Sequence, residues 1–202
     1  PMRMQLVKAY EQDSGSTQDT SLEPRLLILG GSQGASALNQ VVPKALKILQ
    51  EGGATFTGVH QCGERDLSEV QKTYKDSGLN VEVKAFIKDM VHTYLHTDVA
   101  LTRAGASTCT EVALMGVPTI MVPFPFATDD HQTLNARELE KVQGVKLLPE
   151  KEMTPERLAQ ELKKLLEDIH IRKEMKQNLK RVAKPYAANE IAQAAIIGFA
   201  KQ

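Results

Sequence analysis

The feature that most constrains this chain is a repeating alternation. Short, nearly continuous apolar runs end in glycine or a turn, and segments with apolar residues at helical spacing follow them. Residues 25–29 (RLLIL) lead into Gly30-Gly31 and read as a buried strand followed by a turn. Leu38, Val42, Ala45, Leu46 and Leu49 then mark a helix, with Pro43 inside it, where a kink or a break into two pieces is expected. Further strands are predicted at 55–59, 81–86, 98–102, 119–122 and 145–148. Helices are predicted around Leu67, Val70 and Tyr74 up to Gly78, then at 90–95, 107–115 and 130–142. Gly116 stands where a helix end favours a left-handed residue.

Strands that alternate with helices form parallel βαβ units with right-handed crossovers, the α/β class. Apolar runs without alternation fit a sheet covered by helices on both faces. Ligands bind such sheets at the carboxyl ends of the strands. From Thr154 onward the pattern is helical. Thr154-Pro155-Glu156 supplies an N-cap, a first-turn proline and an acid, and Leu158, Leu162, Leu165 and Leu166 form the stripe that follows. Two more helices are expected at 171–183 and 189–200, separated by Pro185. The expected organisation is a linker and flexible polar loop at 1–24, a ligand-binding domain at 25–150 and C-terminal helices at 151–202. Those helices would pack on the domain or cross toward a further one.

Charge narrows the function. Lys plus Arg and Asp plus Glu number 25 each, so no global field draws the chain to nucleic acid or to an anionic membrane. Cys62 and Cys109 lie far apart, with no zinc-like spacing. Two such thiols suit a reducing, cytoplasmic compartment and read as buried and inert. No signal peptide is visible at Pro1-Met2-Arg3-Met4-Gln5, and the leading proline suggests a fragment. The apolar stretch 112–127 is interrupted by Gly116, Pro118, Pro123 and Pro125 and does not read as a membrane span.

Three loops could carry chemistry. Gly30-Gly31-Ser32-Gln33-Gly34-Ala35 joins a strand to a helix, where glycines let an anion approach bare amides at the positive end of the helix dipole. It matches neither dinucleotide nor Walker spacing, and by itself it is equally a tight turn. In the second, 102–111, Ala106, Ser107 and Thr108 present unpaired amides. Glu111 lies one turn on, where it could accept from a ribose diol or simply complement the dipole. Two anion-ready loops on neighbouring strand ends favour a nucleotide diphosphate. In the third, a proline-rich loop leads to a helix start with His131, Gln132 and Asn135. These amides suit sugar hydroxyls; the plainer reading is a solvated helix start capped by Asp130. His92 and His96 are four apart, but no third metal ligand is near in sequence, and there is no Asp-x-Asp. The basic residues from Arg172 to Lys184 read as a solvated helix face, with a membrane-surface role as the lesser reading.

Taken in order, GGSQGA with Leu38-Asn39-Gln40, Phe86-Ile87-x-Asp89-Met90, Thr102-Arg103-x-Gly105-Ala106-x-Thr108-x-x-Glu111, Val122-Pro123-Phe124 and Asp130-x-Gln132-x-x-Asn135-Ala136 resemble the C-terminal domain of the MurG family. The resemblance implies a Rossmann-like, doubly wound parallel sheet, one half of a GT-B glycosyltransferase. It implies transfer of N-acetylglucosamine from UDP-N-acetylglucosamine to lipid I, giving lipid II with inversion, on the cytoplasmic face of the membrane. This half would hold the donor. The acceptor site and the general base would lie in an N-terminal half, so no catalytic residue and no metal is expected here.

By position, Ser32 within the loop of Gly30, Gly31 and Gly34 and the amides of Ala106, Ser107 and Thr108 should meet the diphosphate. Glu111 should bind the ribose, the Ile87 backbone the uracil edge, and Gln132 and Asn135 the sugar with His131 beside them; Arg3 should help neutralise the phosphates. Two departures are His131, where the family often has a second glutamine, and a stretch 124–130 one residue longer than usual. The alternatives are another GT-B transferase or a nucleotide-sugar epimerase, a catalytically silent nucleotide-sugar-binding subunit, and a purely structural βα domain.

Overall fold

The computed structural model describes residues 4–12, 23–31, 35–187 and 190–193. Its centre is one six-stranded sheet, parallel throughout. The strands are β1 (Arg25–Leu29), β2 (Thr57–Gln61), β3 (Val81–Lys84), β4 (Val99–Thr102), β5 (Thr119–Met121) and β6 (Val145–Leu147). Their spatial order is β3-β2-β1-β4-β5-β6, the doubly wound arrangement expected from the sequence. The chain winds outward from β1 in one direction, returns, and continues outward from β4 in the other.

The eight helices defined among the described residues are α1 (Met4–Gln12), α2 (Ser36–Glu51), α3 (Leu67–Ser77), α4 (Met90–Leu95), α5 (Ala106–Met115), α6 (His131–Lys141), α7 (Pro155–Glu167) and α8 (Ile169–Val182). Alternate strand residues feed two cores. Leu26 and Ile28 face the side of α2, α3 and α7, while Leu27 and Leu29 face α1, α4, α5 and α6. Burial on both faces is why the strands lack the polar alternation of a one-sided sheet.

Several boundaries differ from the sequence reading for physical reasons. The segment expected to be a linker contains α1, held by Leu6 and Ala9 in the second core against α4 and α5. Its stripe was too short to register as periodic. The polar stretch 13–22 of the expected loop lies outside the described residues. No break occurs at Pro43: α2 runs through it as one helix. An interior proline costs roughly 3 kcal/mol through the lost helical hydrogen bond and the crowding of its ring against the preceding turn, and burying Leu38, Val42, Ala45, Leu46 and Leu49 offsets it. Strand β2 sits two residues later than the apolar run suggested, because it ends on His60 and Gln61, which are polar yet buried.

Helices α7 and α8 pack on the helices that flank the sheet. Helix α7 begins as expected, with Thr154 Oγ accepting from the Arg157 amide and proline in the first turn. Its stripe lies on α2 in the first core, whereas α8 passes to α5 on the opposite face, with Leu179 in the second core. The third expected helix is described only to residue 193, and the rest of 189–200 lies outside. Leu162 is fully buried where α7 meets the core, so Leu162→Ala is expected to lower unfolding free energy by about 2–5 kcal/mol in urea titration. A change below about 1 kcal/mol would mean that α7 is only an appendage.

Candidate functional site

The sheet order places the site. Strands β1 and β4 are neighbours, with Leu29 paired to Thr102, yet their following helices depart to opposite faces. The two chain segments leaving Leu29 and Thr102 therefore diverge and open a crevice at the carboxyl edge of the sheet. Both loops singled out in the sequence border it.

On the first side, Gly30 lies so close to the start of α2 that a Cβ there would stand 2.9 Å from the Ala35 nitrogen. Gly31 has φ +84°, a conformation that favours glycine. The tight turn thus depends on both residues. Ser32 and Gly34, like Arg3, lie outside the described residues.

On the second side, α5 begins without a side-chain cap. Gly105 is the N-cap residue, and the first helical bond runs from the Cys109 amide to the Gly105 carbonyl. The amides of Ala106, Ser107 and Thr108 have no acceptor among the described residues, and Ala106 and Ser107 are exposed. An uncapped helix start at the mouth of a crevice is a ready anion site. One turn further on, Glu111 is half-buried and accepts from the Tyr94 hydroxyl at 3.1 Å. That bond fixes one carboxylate oxygen.

The third loop is knitted to the second. Gln132 Oε1 accepts from the amides of Ala104 (3.2 Å) and Phe124 (3.0 Å), and Asn135 Nδ2 donates to the Ala104 carbonyl (3.1 Å). Two side chains of α6 thus grip both main-chain groups of the residue that precedes Gly105. Gln132 Nε2 and Asn135 Oδ1 remain without a partner among the described residues. His131 is exposed, its Nδ1 donating to the Thr128 carbonyl at 2.7 Å. Asp130 does not cap α6 with its side chain; it accepts from the Thr133 hydroxyl at 2.6 Å instead. A short 3-10 turn, Thr128–Asp130, precedes the helix, with Asp129 and Asp130 both at φ 51°. Aspartate tolerates that left-handed backbone better than most non-glycine residues.

Three contributors were not legible as site residues. Arg103 donates to the carbonyls of Val122 and Pro123, each at 3.2 Å, and makes a charge contact to Glu150 at 2.5 Å, tying the loops after β4 and β5 together. Gln61, at the end of β2, accepts from the Gly30 amide through its carbonyl (3.1 Å) and from the Ile87 amide through Oε1 (2.8 Å). The Ile87 N–H is therefore already bonded inward, and its carbonyl takes no part in that bond.

His60 anchors the helix that follows the glycine loop. Asn39 Nδ2 donates to the Cys62 carbonyl and to Asp66, so its Oδ1 accepts from His60 Nε2–H, and His60 Nδ1 accepts from the Tyr74 hydroxyl. Burial pushes the imidazole pKa from 6.5 down to about 3. The signal for His60 and Gln61 was available in the sequence as two polar residues closing a buried strand.

Among the described residues, no three of His, Cys, Asp and Glu gather to hold a metal. His92 and His96 stack with centroids 4.1 Å apart, and His96 Nδ1 donates to the His92 carbonyl. Both cysteines are free and buried, and burial raises both thiol pKa values. No described helix is long and apolar enough to cross a membrane.

The reversed strand order, the crevice and the uncapped α5 define a Rossmann-like, doubly wound α/β domain, a fold shared at TM-score 0.60 and 19% identity with the GT-B-type half of the glycosyltransferase of kitacinnamycin, over 88% of this chain and 44% of that one. The chain belongs to the family described as the glycosyltransferase family 28 C-terminal domain, whose model matches residues 25–191. It is 44% identical over 168 residues to the UDP-N-acetylglucosamine--N-acetylmuramyl-(pentapeptide) pyrophosphoryl-undecaprenol N-acetylglucosamine transferase of Alkalilimnicola ehrlichii, covering 83% of this chain and 47% of that protein. The crystal structure of Acinetobacter baumannii MurG superposes with TM-score 0.80 at 34% identity, over 94% of this chain and 52% of that one. These comparisons bear out the resemblance to MurG read from the motifs. The chain spans about half the length of the curated relatives it matches.

The buried imidazole gives a pH test of the anchor. Its folded pKa lies below the unfolded value, so its contribution to stability is fully present above pH 6.5 and is lost as pH falls toward 3. Urea midpoints measured across that window should fall more steeply for the wild type than for His60→Gln. Parallel curves would show that His60 does not couple protonation to folding.

Proposed function

We propose that this chain is the donor-binding half of an inverting glycosyltransferase that moves N-acetylglucosamine from UDP-N-acetylglucosamine to a lipid-linked muramyl acceptor, lipid I, giving lipid II. The observation that carries the reading is the uncapped start of α5 beside the glycine turn, with Glu111 one turn beyond. The name of the 44% identical relative from Alkalilimnicola ehrlichii specifies that relative's donor and acceptor class, which this reading carries over.

In this reading, the amides of Ala106, Ser107 and Thr108, with the Gly30–Gly31 turn and Ser32, hold the diphosphate. Arg3 adds positive charge. Glu111 accepts from the ribose hydroxyls, and the Ile87 carbonyl meets the base. Gln132 Nε2 and Asn135 Oδ1 meet the sugar hydroxyls beside His131. The same side chains hold Ala104 in place, so sugar recognition and the geometry of the phosphate site share their supports. As the glycosidic bond breaks, charge builds on the departing UDP. A preorganised donor aimed at such charge is worth about 3 kcal/mol, and no proton needs to move on this half of the enzyme. The base that deprotonates the acceptor would come from the N-terminal half. Donor binding needs no metal cofactor, because amides and the helix dipole offset the phosphate charge. The complete enzyme would work as a peripheral protein on the cytoplasmic face of the membrane.

Calorimetry on this chain should show UDP and UDP-N-acetylglucosamine binding equally well with EDTA and with magnesium. Absence of heat at millimolar ligand would count against the reading. Glu111→Ala should weaken UDP binding by about 1–3 kcal/mol, the cost of losing a charged hydrogen-bond partner; unchanged affinity would remove the ribose assignment. Lipid II synthesis should be undetectable until an N-terminal half is supplied, and product formed by this chain alone would overturn the division of labour.

A further inference from the structure

The carboxyl end of β2 bears on the glycine turn at one side of the nucleotide crevice and on the segment that follows β3. Gln61 pairs in register with Leu29, the last residue of β1. Its carbonyl accepts from Gly30, the first residue of the glycine turn, at 3.1 Å. Its side chain crosses to the segment after β3, where Oε1 accepts from the Ile87 amide at 2.8 Å. Gln61 is 5% exposed and Ile87 3%, so this bond is shielded from water. Beside it, Phe86 is 53% exposed. One residue thus bonds to two separate segments at the strand edge where ligands of doubly wound sheets sit.

Apart from the burial of Ile87 in the second core, few hydrogen bonds hold the segment between β3 and α4. Cys62 donates its amide to the carbonyl of Lys84, the last residue of β3, and Asp89 caps α4 through the His92 amide. Between those points the Gln61–Ile87 bond is the one side-chain hydrogen bond to the main chain of residues 85–88 among the described residues. A glutamine buried at a strand end is costly unless its polar atoms are satisfied, and here the partner is a main-chain group whose orientation fixes a peptide plane.

We infer that Gln61 is a positioning residue for nucleoside recognition: its side chain fixes the Phe86–Ile87 peptide, and so places the adjoining Ile87 carbonyl that meets the base, relative to the phosphate turn. This rests on the nucleotide-sugar reading and adds to it a residue that need not touch the ligand. The consequence is selective. Losing the Oε1 acceptor should loosen the nucleoside end of the crevice and leave the uncapped α5 amides, on the far side of β1, as they are.

The test uses this chain with UDP and inorganic pyrophosphate as separate probes. Gln61→Met keeps length and removes the acceptor; Gln61→Glu keeps an acceptor oxygen. Gln61→Met is expected to raise the UDP Kd about tenfold, the effect of an unanchored segment that holds the binding conformation only about one-tenth of the time, while the pyrophosphate Kd, followed by phosphorus NMR, stays within about twofold of the wild type. Gln61→Glu is expected to recover most of the UDP affinity. Equal loss on both probes, or no loss on either, would overturn the inference. Should Gln61→Met fail to fold, amide exchange in the wild-type protein decides. The Ile87 N–H is expected to exchange slowly both without and with UDP, and fast exchange in either state would overturn it. If wild-type chain fails to bind UDP at all, the functional reading falls instead, and slow Ile87 exchange would still report the bond itself.

Discussion

The pairing of β1 with β4 is the constraint on which the rest depends. Each strand has a neighbour on its other side, β2 for one and β5 for the other, and the chain reaches those neighbours by crossovers on opposite faces of the sheet. Right-handed crossovers leave no other arrangement for helices that begin from adjacent strands but wind in opposite directions. The crevice is therefore a product of topology, and it exists before any side chain is considered. What the side chains add is its lining. Gly30 and Gly31 remove bulk on one wall, and Gly105 leaves a helix start without a competing cap on the other.

A bare helix start is of use only if it stays where it is put. Around this crevice the loops are held by hydrogen bonds from side chains to main chain. Gln132 and Asn135 grip Ala104, Arg103 grips Val122 and Pro123, and Asn39, backed by His60 and Tyr74, grips the Cys62 carbonyl. Each such bond contributes modestly to net stability, but an unmade one would leave a buried polar group unsatisfied. That asymmetry makes the loops resist displacement when a charged ligand arrives. In the proposed reading the same residues serve structure and recognition: one end of each amide, Gln132 and Asn135, holds the loop, and the other would meet a sugar hydroxyl.

The architecture was legible because its signals are local. Runs such as 25–29 and the leucine stripe of α7 carry period and hydrophobicity together, and Gly78 and Gly116 mark helix ends by their left-handed backbone. The two bordering loops were legible because a strand followed by glycine and then by a helix has few readings. Legibility failed where a long-range partner decides the structure. Helix α1 forms because α4 and α5 cover it, Pro43 is carried because the helix around it is buried, and β2 extends to Gln61 because Asn39, Tyr74 and Ile87 satisfy its polar end. None of those partners is adjacent in sequence. The engagement of the Ile87 N–H by Gln61 belongs to the same class, since it depends on two strand ends meeting in register.

The central claim is that a diphosphate seats against the uncapped amides of Ala106, Ser107 and Thr108, across from the glycine turn. Amide chemical shifts in a nitrogen-15 spectrum, followed as UDP is added, report on those groups directly. The account requires the largest changes at 106–108 and at Gly30 and Gly31, saturating together. Changes confined to the opposite, amino-terminal edge of the sheet, or a spectrum that UDP leaves untouched, would contradict it.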